Sequence, residues 1–313
     1  MQPSRVATAG GFGAVLLWST TIPVVRSLSE QVGSVTAASA VFAVSGVIAL
    51  VSLLWGPRKW DSIKALGARH LLGCGSLFVG YMLLLFLAIG WADGRQQVLE
   101  VGLVNYLWPA LTLILSLVIV GRKAAWATFI PGTLLALLGM FLVLTQGASV
   151  SWQSLTKNVA GNPAAYFLAL AAAVSWALYN NLTEKWFGKE ENAVVVFLPI
   201  TAIFLLLICF FLDEPRAWTN RALVEALFLG IVTAVAYSLW EAALISGEAE
   251  TVTAASYLTP LFSTILNCLY LDIEAGLKLW VGCLAIVLGS FLSWRSTRNV
   301  APGSGGRHLN AEN

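Results

Sequence analysis

Ten apolar stretches follow one another along the chain, with short polar connections between them. An α-helix rises about 1.5 Å per residue, so about 20 residues cross the roughly 30 Å hydrocarbon core of a bilayer. The stretches do not alternate in polarity, as β-barrel strands would. The pattern predicts ten membrane-spanning helices, numbered here as spans 1 to 10: Ala7–Leu28, Val35–Trp55, His70–Trp91, Val98–Val120, Ala125–Thr145, Pro163–Thr183, Ala193–Leu212, Ala222–Ile245, Thr251–Leu271 and Leu277–Ser296.

Composition supports the same class. Hydrophobic residues make up 58% of the 313 positions and charged residues only 11%, whereas a soluble domain carries about 25% charged residues. We therefore expect an all-α integral membrane protein whose main partner is the lipid bilayer. The net charge of +2 gives no basic surface for nucleic acid. The first stretch is long enough to remain as a span and does not resemble a cleavable signal peptide.

The residues needed for catalysis or metal binding are missing from the sequence. The four cysteines lie in apolar runs without a C-x-x-C pair, and the two histidines, His70 and His308, lie outside the core of any span. No Walker loop or Ser/His/Asp set is present. The chain is thus not expected to be an enzyme, to bind a metal or to need a cofactor, and it has no means of ATP-driven pumping.

The distribution of lysine and arginine predicts the orientation. With a cytoplasmic N-terminus, the inner connections and termini carry 12 such residues and the outer connections carry 6. Basic residues favour the cytoplasmic side of short loops. Both termini are therefore predicted to be cytoplasmic, in a multi-pass protein of the bacterial inner membrane. The glycine-rich residues 297–313 are predicted to form a flexible tail.

The two halves of the sequence match each other. Spans 4 and 9 share Tyr-Leu-x-Pro, at Tyr106–Pro109 and Tyr257–Pro260, and spans 5 and 10 each carry two glycines seven positions apart. The matching residues lie 150 to 158 positions apart, and they include the following pairs: Gly132 with Gly282, Gly139 with Gly289, Trp18 with Trp176, and Tyr81 with Tyr237. The chain is therefore two five-span repeats, residues 1–145 and 163–296, joined by a periplasmic connector at 146–162.

An odd number of spans per repeat has a topological consequence. The second repeat must enter the membrane from the side opposite to the first, which gives an inverted-topology repeat. Such repeats are typical of secondary transporters, whose substrate site lies near the membrane midplane between the halves. A duplicated bundle without transport activity is the less favoured alternative.

These features resemble a known family. The order of the spans, the Tyr-Leu-x-Pro segment in the fourth span of each half and the paired glycines of the fifth are similar to the EamA-type branch of the drug/metabolite transporter superfamily, over about residues 7 to 296. The aromatic content of the predicted pore most resembles the bacterial aromatic amino acid exporters. The resemblance implies a basket-shaped ten-helix bundle that exports phenylalanine, tyrosine and tryptophan.

Thirteen tryptophans help to locate the transport path. Nine lie at span ends or in connections, where an aromatic belt at the lipid headgroups accounts for them. The other four lie within spans, where an indole N–H needs a polar partner and so favours a cavity over lipid. Together with their polar and aromatic neighbours, they form the predicted substrate-binding set: Trp18, Tyr81, Asn105, Trp108, Trp176, Tyr179, Tyr237, Trp240, Glu241 and Tyr257. For the serines and threonines on the same faces, ordinary hydrogen bonding between helices is the favoured interpretation.

Glu241 is the most specific member of this set. It lies well inside span 8 without a basic residue on that span. A carboxylate at that depth is costly and by default marks a functional site. It could bind a substrate ammonium or carry a coupling proton, and the alternative is a neutral side chain bonded to a backbone carbonyl.

Prolines within spans are predicted to kink helices, because proline leaves a backbone carbonyl without its donor. They include Pro23, Pro109, Pro199 and Pro260. The paired glycines of spans 5 and 10 are predicted to allow close helix packing rather than to bind a ligand.

Transport of aromatic amino acids is the leading hypothesis, because tryptophan and tyrosine rings stack on aromatic groups and attract cations. Export of aromatic cationic drugs is the nearest alternative. Sugar-nucleotide transport is disfavoured because the spans offer almost no basic residues for phosphate. A membrane-embedded enzyme or scaffold is also disfavoured. A small-molecule substrate is the expected partner; a monomer is assumed, and the sequence leaves the oligomeric state open.

Overall fold

The computed structural model describes residues 4–55, 67–121, 123–145, 151–187 and 194–298. Some residues that were counted in the charge distribution or among the tryptophans and histidines lie outside these ranges: Arg58, Lys59, Trp60, Lys64, Arg122, Lys189, Arg307 and His308. All regular structure in the described ranges is helical, and the helices are α1 (Arg5–Ser19), α2 (Thr21–Val32), α3 (Ser34–Trp55), α4 (Gly75–Gly90), α5 (Arg95–Asn105), α6 (Trp108–Ile119), α7 (Trp126–Leu144), α8 (Trp152–Gly161), α9 (Pro163–Phe187), α10 (Val194–Phe211), α11 (Asn220–Ser246), α12 (Ala249–Ser256), α13 (Thr259–Leu271) and α14 (Leu277–Arg298). A π-helical turn, Arg69–Cys74, leads into α4.

The all-α membrane class predicted from the sequence is confirmed. Within the described ranges, nine helical segments are long and apolar enough to cross a membrane, and they correspond to spans 1 to 8 and span 10. The tenth, span 9, was predicted as one helix and is instead divided into α12 and α13, of which α13 is the apolar piece. The predicted connector contains the ten-residue helix α8, where the Asn158 amide donates to the Leu144 carbonyl at 2.9 Å.

The Tyr-Leu-x-Pro segments coincide with the breaks in spans 4 and 9. Each proline is at the second position of the following helix, α6 or α13. Pro109 has no N–H for the carbonyl of Asn105, and Pro260 has none for that of Ser256, so each helix ends there. In span 9 the Thr259 hydroxyl donates to the Ser256 carbonyl at 2.7 Å and replaces the missing bond. The predicted disruption at these two prolines is thus confirmed and is a full break.

The remaining prolines differ in their effect. Span 1 also breaks, at Thr20, three residues before Pro23, whereas Pro131 and Pro199 lie within the continuous helices α7 and α10. A proline therefore interrupts some spans and not others.

Spans 5 and 10 pack backbone against backbone through their glycines. A Cβ at Gly139 would lie 2.6 Å from the Gly282 carbonyl oxygen, and a Cβ at Gly289 would lie 2.5 Å from that of Gly132. Only glycine allows so close an approach. Because the earlier glycine of one span meets the later glycine of the other, the two spans are antiparallel. The predicted packing role of these glycines is confirmed.

Six of the remaining spans form two three-span bundles. In the 3-4-6 bundle, span 6 packs on spans 3 and 4, and in the 1-8-9 bundle, span 1 packs on spans 8 and 9. The other two spans, 2 and 7, pack on each other. Exchanging each span for its counterpart five numbers away converts one bundle into the other, as two inverted repeats require.

The spans alternate in direction, so the bundle has two distinct ends. The Glu248 amide donates to the Thr8 hydroxyl at 2.9 Å at the end where the chain begins and span 10 finishes, called here the near end. At the far end, the carboxylate of Glu214 accepts from the amides of Val35 and Thr36 at 3.0 and 2.7 Å. The outer faces between the ends are apolar and exposed, as lipid contact requires; examples in span 7 are Leu207, Phe210 and Phe211.

Candidate functional site

Seven of the ten predicted site residues lie in one continuous cluster of rings. Trp176 is at its centre, stacked on Tyr179 with ring centroids 5.0 Å apart. Its indole also lies 4.7 Å from the ring of Tyr81 and 6.4 Å from that of Trp108. All four rings belong to the 3-4-6 bundle, so helix packing within that bundle determines their arrangement.

The second part of the cluster comes from the 1-8-9 bundle. The indole of Trp18 lies 5.3 Å from the ring of Tyr237 and 5.0 Å from that of Trp240. The two parts meet where Trp176 and Tyr237 lie 6.1 Å apart. The cluster, hereafter the aromatic cluster, therefore extends across the boundary between the two bundles.

Two phenylalanines of the cluster were missed by the sequence reasoning. Phe78 is fully buried and lies 5.8 Å from the ring of Tyr237 and 5.7 Å from that of Tyr179. Phe197 of span 7 lies 5.7 Å from Phe78. Phenylalanine has no polar group, so the need for a polar partner within a span does not single it out. Phe78 does share a helix face with Tyr81, three positions later, and this spacing could have indicated that Phe78 belongs to the site.

Asn105 contributes an unused hydrogen-bond acceptor. Its side chain is buried at the end of α5 and is within hydrogen-bonding reach of the Tyr81 hydroxyl. Its Oδ1 atom has no hydrogen-bond partner in the described part of the chain. A buried carbonyl oxygen left in this state costs about 1–3 kcal/mol, so the site gains from a ligand that donates to it.

Trp18 contributes the complementary donor. Its Nε1 atom is buried and lacks a partner among the residues that the structure describes. The indole ring contacts Tyr237 and Trp240, so this N–H belongs to the aromatic cluster. The site thus combines apolar ring faces with one free donor and one free acceptor, a combination typical of small-molecule sites.

Glu241 and Tyr257 have a different status. The backbone of Glu241 lies in α11 next to Trp240, but its side chain lies outside the described part of the structure, so its role stays a prediction. Tyr257, at the break in span 9, packs its ring on Trp294 of span 10 at 6.2 Å. Its membership of the substrate site also stays a prediction.

The small polar residues on the same helix faces bond to backbone carbonyls. The Thr112 hydroxyl donates to the carbonyl of Trp108 at 2.7 Å, and the Ser256 hydroxyl donates to that of Thr253 at 2.8 Å. Asn181, which was not singled out from the sequence, donates from span 6 to the Thr112 carbonyl in span 4 at 3.0 Å. The hydroxyls of Thr112, Ser256 and Thr259 bond to backbone within their own spans, so they do not make the predicted hydrogen bonds between helices.

Charged residues join the bundles at the far end. Arg26 of span 1 pairs with Glu30 at 2.8 Å and donates to the carbonyl of Ala92, after span 3, at 2.9 Å. Arg95 of span 4 also pairs with Glu30 at 2.8 Å and reaches the carbonyl of Leu271 in span 9 at 3.3 Å. These contacts hold the 3-4-6 and 1-8-9 bundles together at this end.

A second acidic group at the far end lies within the 1-8-9 bundle. The buried carboxylate of Glu225 accepts from the hydroxyls of Ser27 and Tyr270 at 2.7 Å each, from Gln31 at 3.0 Å and from Arg221 at 2.7 Å. It ties span 8 to spans 1 and 9. One of these contacts has a local signature, since Arg221 and Glu225 are four positions apart on one helix.

Comparison with known proteins identifies the family. The EamA-like transporter family matches the chain twice, over residues 7–145 and 163–295. The chain belongs to the EamA-like transporter family. The two matches lie one on each five-span half. A crystal structure with 24% sequence identity superimposes on 94% of this chain and 100% of its own, with a TM-score of 0.68, and shows the same fold.

Three relatives of this chain are described as aromatic amino acid exporters. The aromatic amino acid exporter YddG of Salmonella typhimurium is 33% identical over 296 residues, which cover 94% of this chain and 99% of the relative. The aromatic amino acid exporter YddG of Escherichia coli is 32% identical over 293 residues, with 93% and 98% coverage. That of Ancylobacter novellus is 28% identical over 283 residues, with 90% and 92% coverage.

Proposed function

We propose that this chain exports phenylalanine, tyrosine and tryptophan across the bacterial inner membrane. The observation that carries the proposal is the aromatic cluster, which contains an unused buried donor and an unused buried acceptor. Membership of a transporter family, and relatives described as aromatic amino acid exporters, support the same conclusion.

The rings account for recognition of the side chain. Trp176, Tyr179 and Phe78 offer faces and edges on which an aromatic side chain packs, at about 0.5–1.5 kcal/mol per ring pair beyond the burial of apolar area. Tryptophan and tyrosine faces also attract an ammonium, at about 0.5–2 kcal/mol. Aliphatic amino acids would lose the first of these contributions and should be transported less well.

The polar atoms account for recognition of the amino acid group. The Trp18 N–H would donate to the substrate carboxylate, and the Asn105 Oδ1 would accept from its ammonium. Glu241, one position after Trp240, is a second candidate for the ammonium. A zwitterion satisfies a donor and an acceptor at once, whereas a flat cation satisfies the acceptor alone.

Alternating access between the two bundles would carry the substrate across. The site draws rings from both bundles at the contact of Trp176 with Tyr237, so a ligand there stabilises particular relative positions of the bundles. Opening at the far end would require the contacts of Arg26, Glu30 and Arg95 to separate. Both repeats, residues 1–145 and 163–296, contribute spans to each of the two moving bundles.

Transport by purified protein in liposomes tests the substrate class. Uptake of labelled phenylalanine, tryptophan, lysine and a cationic dye should be measured, with Trp176→Ala as the site variant and Trp126→Ala as its control. Trp126 is 60% exposed at the start of α7, away from the cluster. We expect phenylalanine and tryptophan to be transported and Trp176→Ala to impair them. Transport of the dye alone would favour the aromatic-cation alternative.

The orientation is proposed from charge and needs its own test. Asp93→Cys at the far end and Lys123→Cys at the near end should be compared in a background lacking the four native cysteines, using a maleimide that does not cross membranes. With cytoplasmic termini, intact cells should label Asp93→Cys and should label Lys123→Cys only after lysis. The reverse result would contradict the proposed direction of insertion.

A further inference from the structure

We propose that Glu100 in span 4 is a proton-binding site that couples export to inward movement of protons. The inference rests on the proposed transport function and goes beyond it, because it assigns the driving force to a residue outside the aromatic cluster. Its basis is a buried carboxyl group within a span whose partner is a neutral hydroxyl.

The surroundings of Glu100 are polar but uncharged. The side chain is 8% exposed, and the Tyr166 hydroxyl of span 6 donates a short hydrogen bond to its Oε2. The Gln97 amide donates to that hydroxyl at 3.5 Å, and its carbonyl oxygen accepts from Asn162 at 2.9 Å. Spans 4 and 6 are therefore joined here by a chain of neutral hydrogen bonds that ends on one carboxyl group.

Two other carboxylates at the far end have cationic partners. Glu30 lies between two arginines, and Glu225 receives Arg221 together with three neutral donors. Each of these two carboxylates therefore has a cation beside it. Among the described contacts of Glu100 there is no cation. A carboxylate buried without a cation is costly, and binding a proton removes the charge.

Charged groups on the neighbouring elements do not change this picture. The described partners of Arg26 and Arg95 are Glu30 and backbone carbonyls, and neither arginine pairs with Glu100 in the described contacts. Helix α7 of span 5 carries no charged residue. The elements packed against α5 carry these titratable and charged groups: Arg26 and Glu30 on α2, Tyr81 on α4, Tyr166, Tyr179, Glu184 and Lys185 on α9, and Cys268 and Tyr270 on α13. Arg95 begins α5 itself, and Asp93, Tyr106, Asp272 and Glu274 lie in the adjoining connections. Lys185 lies 19 residues after Tyr166 on α9, which is about 28 Å along the helix.

The position of Glu100 suits coupling to the substrate site. It lies five residues before Asn105 on α5, roughly 7.5 Å along the helix axis. As a carboxylate it only accepts from Tyr166, whereas as a carboxylic acid it also donates, so protonation changes the link between spans 4 and 6. A proton would bind from the far side and leave to the near side as one zwitterion moves outward. The zwitterion carries no net charge, so each cycle would move one positive charge inward.

Transport by wild type and Glu100→Gln in liposomes separates coupling from binding. Exchange of labelled for unlabelled phenylalanine needs no driving force, whereas accumulation of phenylalanine against its gradient needs the pH gradient. We expect wild type to show both, and Glu100→Gln to retain exchange and lose accumulation. Accumulation by Glu100→Gln, or a wild type that exchanges without responding to the gradient, would overturn the inference and leave the proposed function standing.

Two further measurements cover the other outcomes. Tyr166→Phe keeps the carboxyl group but removes the donor that favours its ionised form, so the pH at half-maximal coupled transport should rise. An unchanged profile would count against Glu100 as the coupling site.

Infrared spectra of wild type, without any substrate, should show a carboxylic acid band that grows as pH falls and is lost in Glu100→Gln. Its absence would refute proton binding even if phenylalanine is not a substrate.

Discussion

The indole of Trp176 lies 6.1 Å from the ring of Tyr237, and this contact joins the 3-4-6 and 1-8-9 bundles, each of which contains spans from both repeats. A substrate ring that enters between them would contact both bundles at once. The site is therefore part of the boundary at which the bundles would move, so occupancy and bundle position are coupled.

Replacing Trp176 by alanine should weaken phenylalanine binding. The loss of one aromatic contact, at about 0.5–1.5 kcal/mol, corresponds to roughly a 2- to 10-fold rise in KM for uptake into liposomes. Trp126→Ala, which removes an indole from the exposed surface, should leave KM unchanged. Equal KM values for the two variants, with both eluting as single species in detergent, would remove Trp176 from the site.

Replacing Trp18 by phenylalanine should distinguish ligands by their carboxylate. The variant keeps an aromatic ring but loses the N–H, and a hydrogen bond to a charged group contributes about 1.5–3 kcal/mol, a loss of at least roughly 10-fold in affinity. Competition by phenylalanine should weaken, whereas competition by phenethylamine, which has no carboxylate, should not change. A parallel loss for both competitors would mean that Trp18 acts through its ring alone.

Adding a methyl group at Gly289 should destabilise the protein. Its Cβ would lie 2.5 Å from the Gly132 carbonyl oxygen, and backbone atoms there have no room to move aside. Overpacking of this kind costs about 1–3 kcal/mol. Gly13→Ala is the control, because its nearest atom would be 3.7 Å away in ordinary contact. Thermal unfolding in detergent should show a lower midpoint for Gly289→Ala only.

Removing the Ser27 hydroxyl should also lower stability. This buried group donates to Glu225 at 2.7 Å and accepts from Arg221 at 2.9 Å, so Ser27→Ala leaves a buried carboxylate with one donor fewer. We expect a loss of about 1.5–3 kcal/mol in the free energy of unfolding. Ser76→Ala, which removes an exposed hydroxyl bonded to the Gly73 carbonyl, should cost far less. Similar losses would show that the Glu225 contacts are replaced by water.

Much of the fold was predictable because membrane spans leave a strong pattern. The apolar stretches located the helices, and the repeated Tyr-Leu-x-Pro segment identified both breaks, since proline acts on the residues next to it in sequence. The number of continuous helices is harder to predict from the sequence. Pro260 coincides with a division of its span, whereas Pro199 lies inside a continuous helix, and the local sequence pattern does not show this difference.

The candidate site was predictable in part. Polar aromatic residues inside spans stood out because lipid does not satisfy their N–H and O–H groups, and seven of them do meet in one cluster. Phe78 carries no such signal. The ion pairs Arg26–Glu30 and Arg221–Glu225 follow a four-residue spacing. The hydrogen bonds of Arg26 to the Ala92 carbonyl and of Ser27 to Glu225 join residues far apart in sequence, so local spacing does not reveal them.

The glycine contact between spans 5 and 10 has the symmetry of an isologous interface. Gly132 meets Gly289 and Gly139 meets Gly282, so each half presents the same surface to the other, as identical subunits do across a two-fold axis. Two separate five-span chains inserted in opposite directions would make the same contact. Fusion into one chain adds no new interface; it fixes the ratio of the two orientations at one to one and allows each half to acquire its own residues.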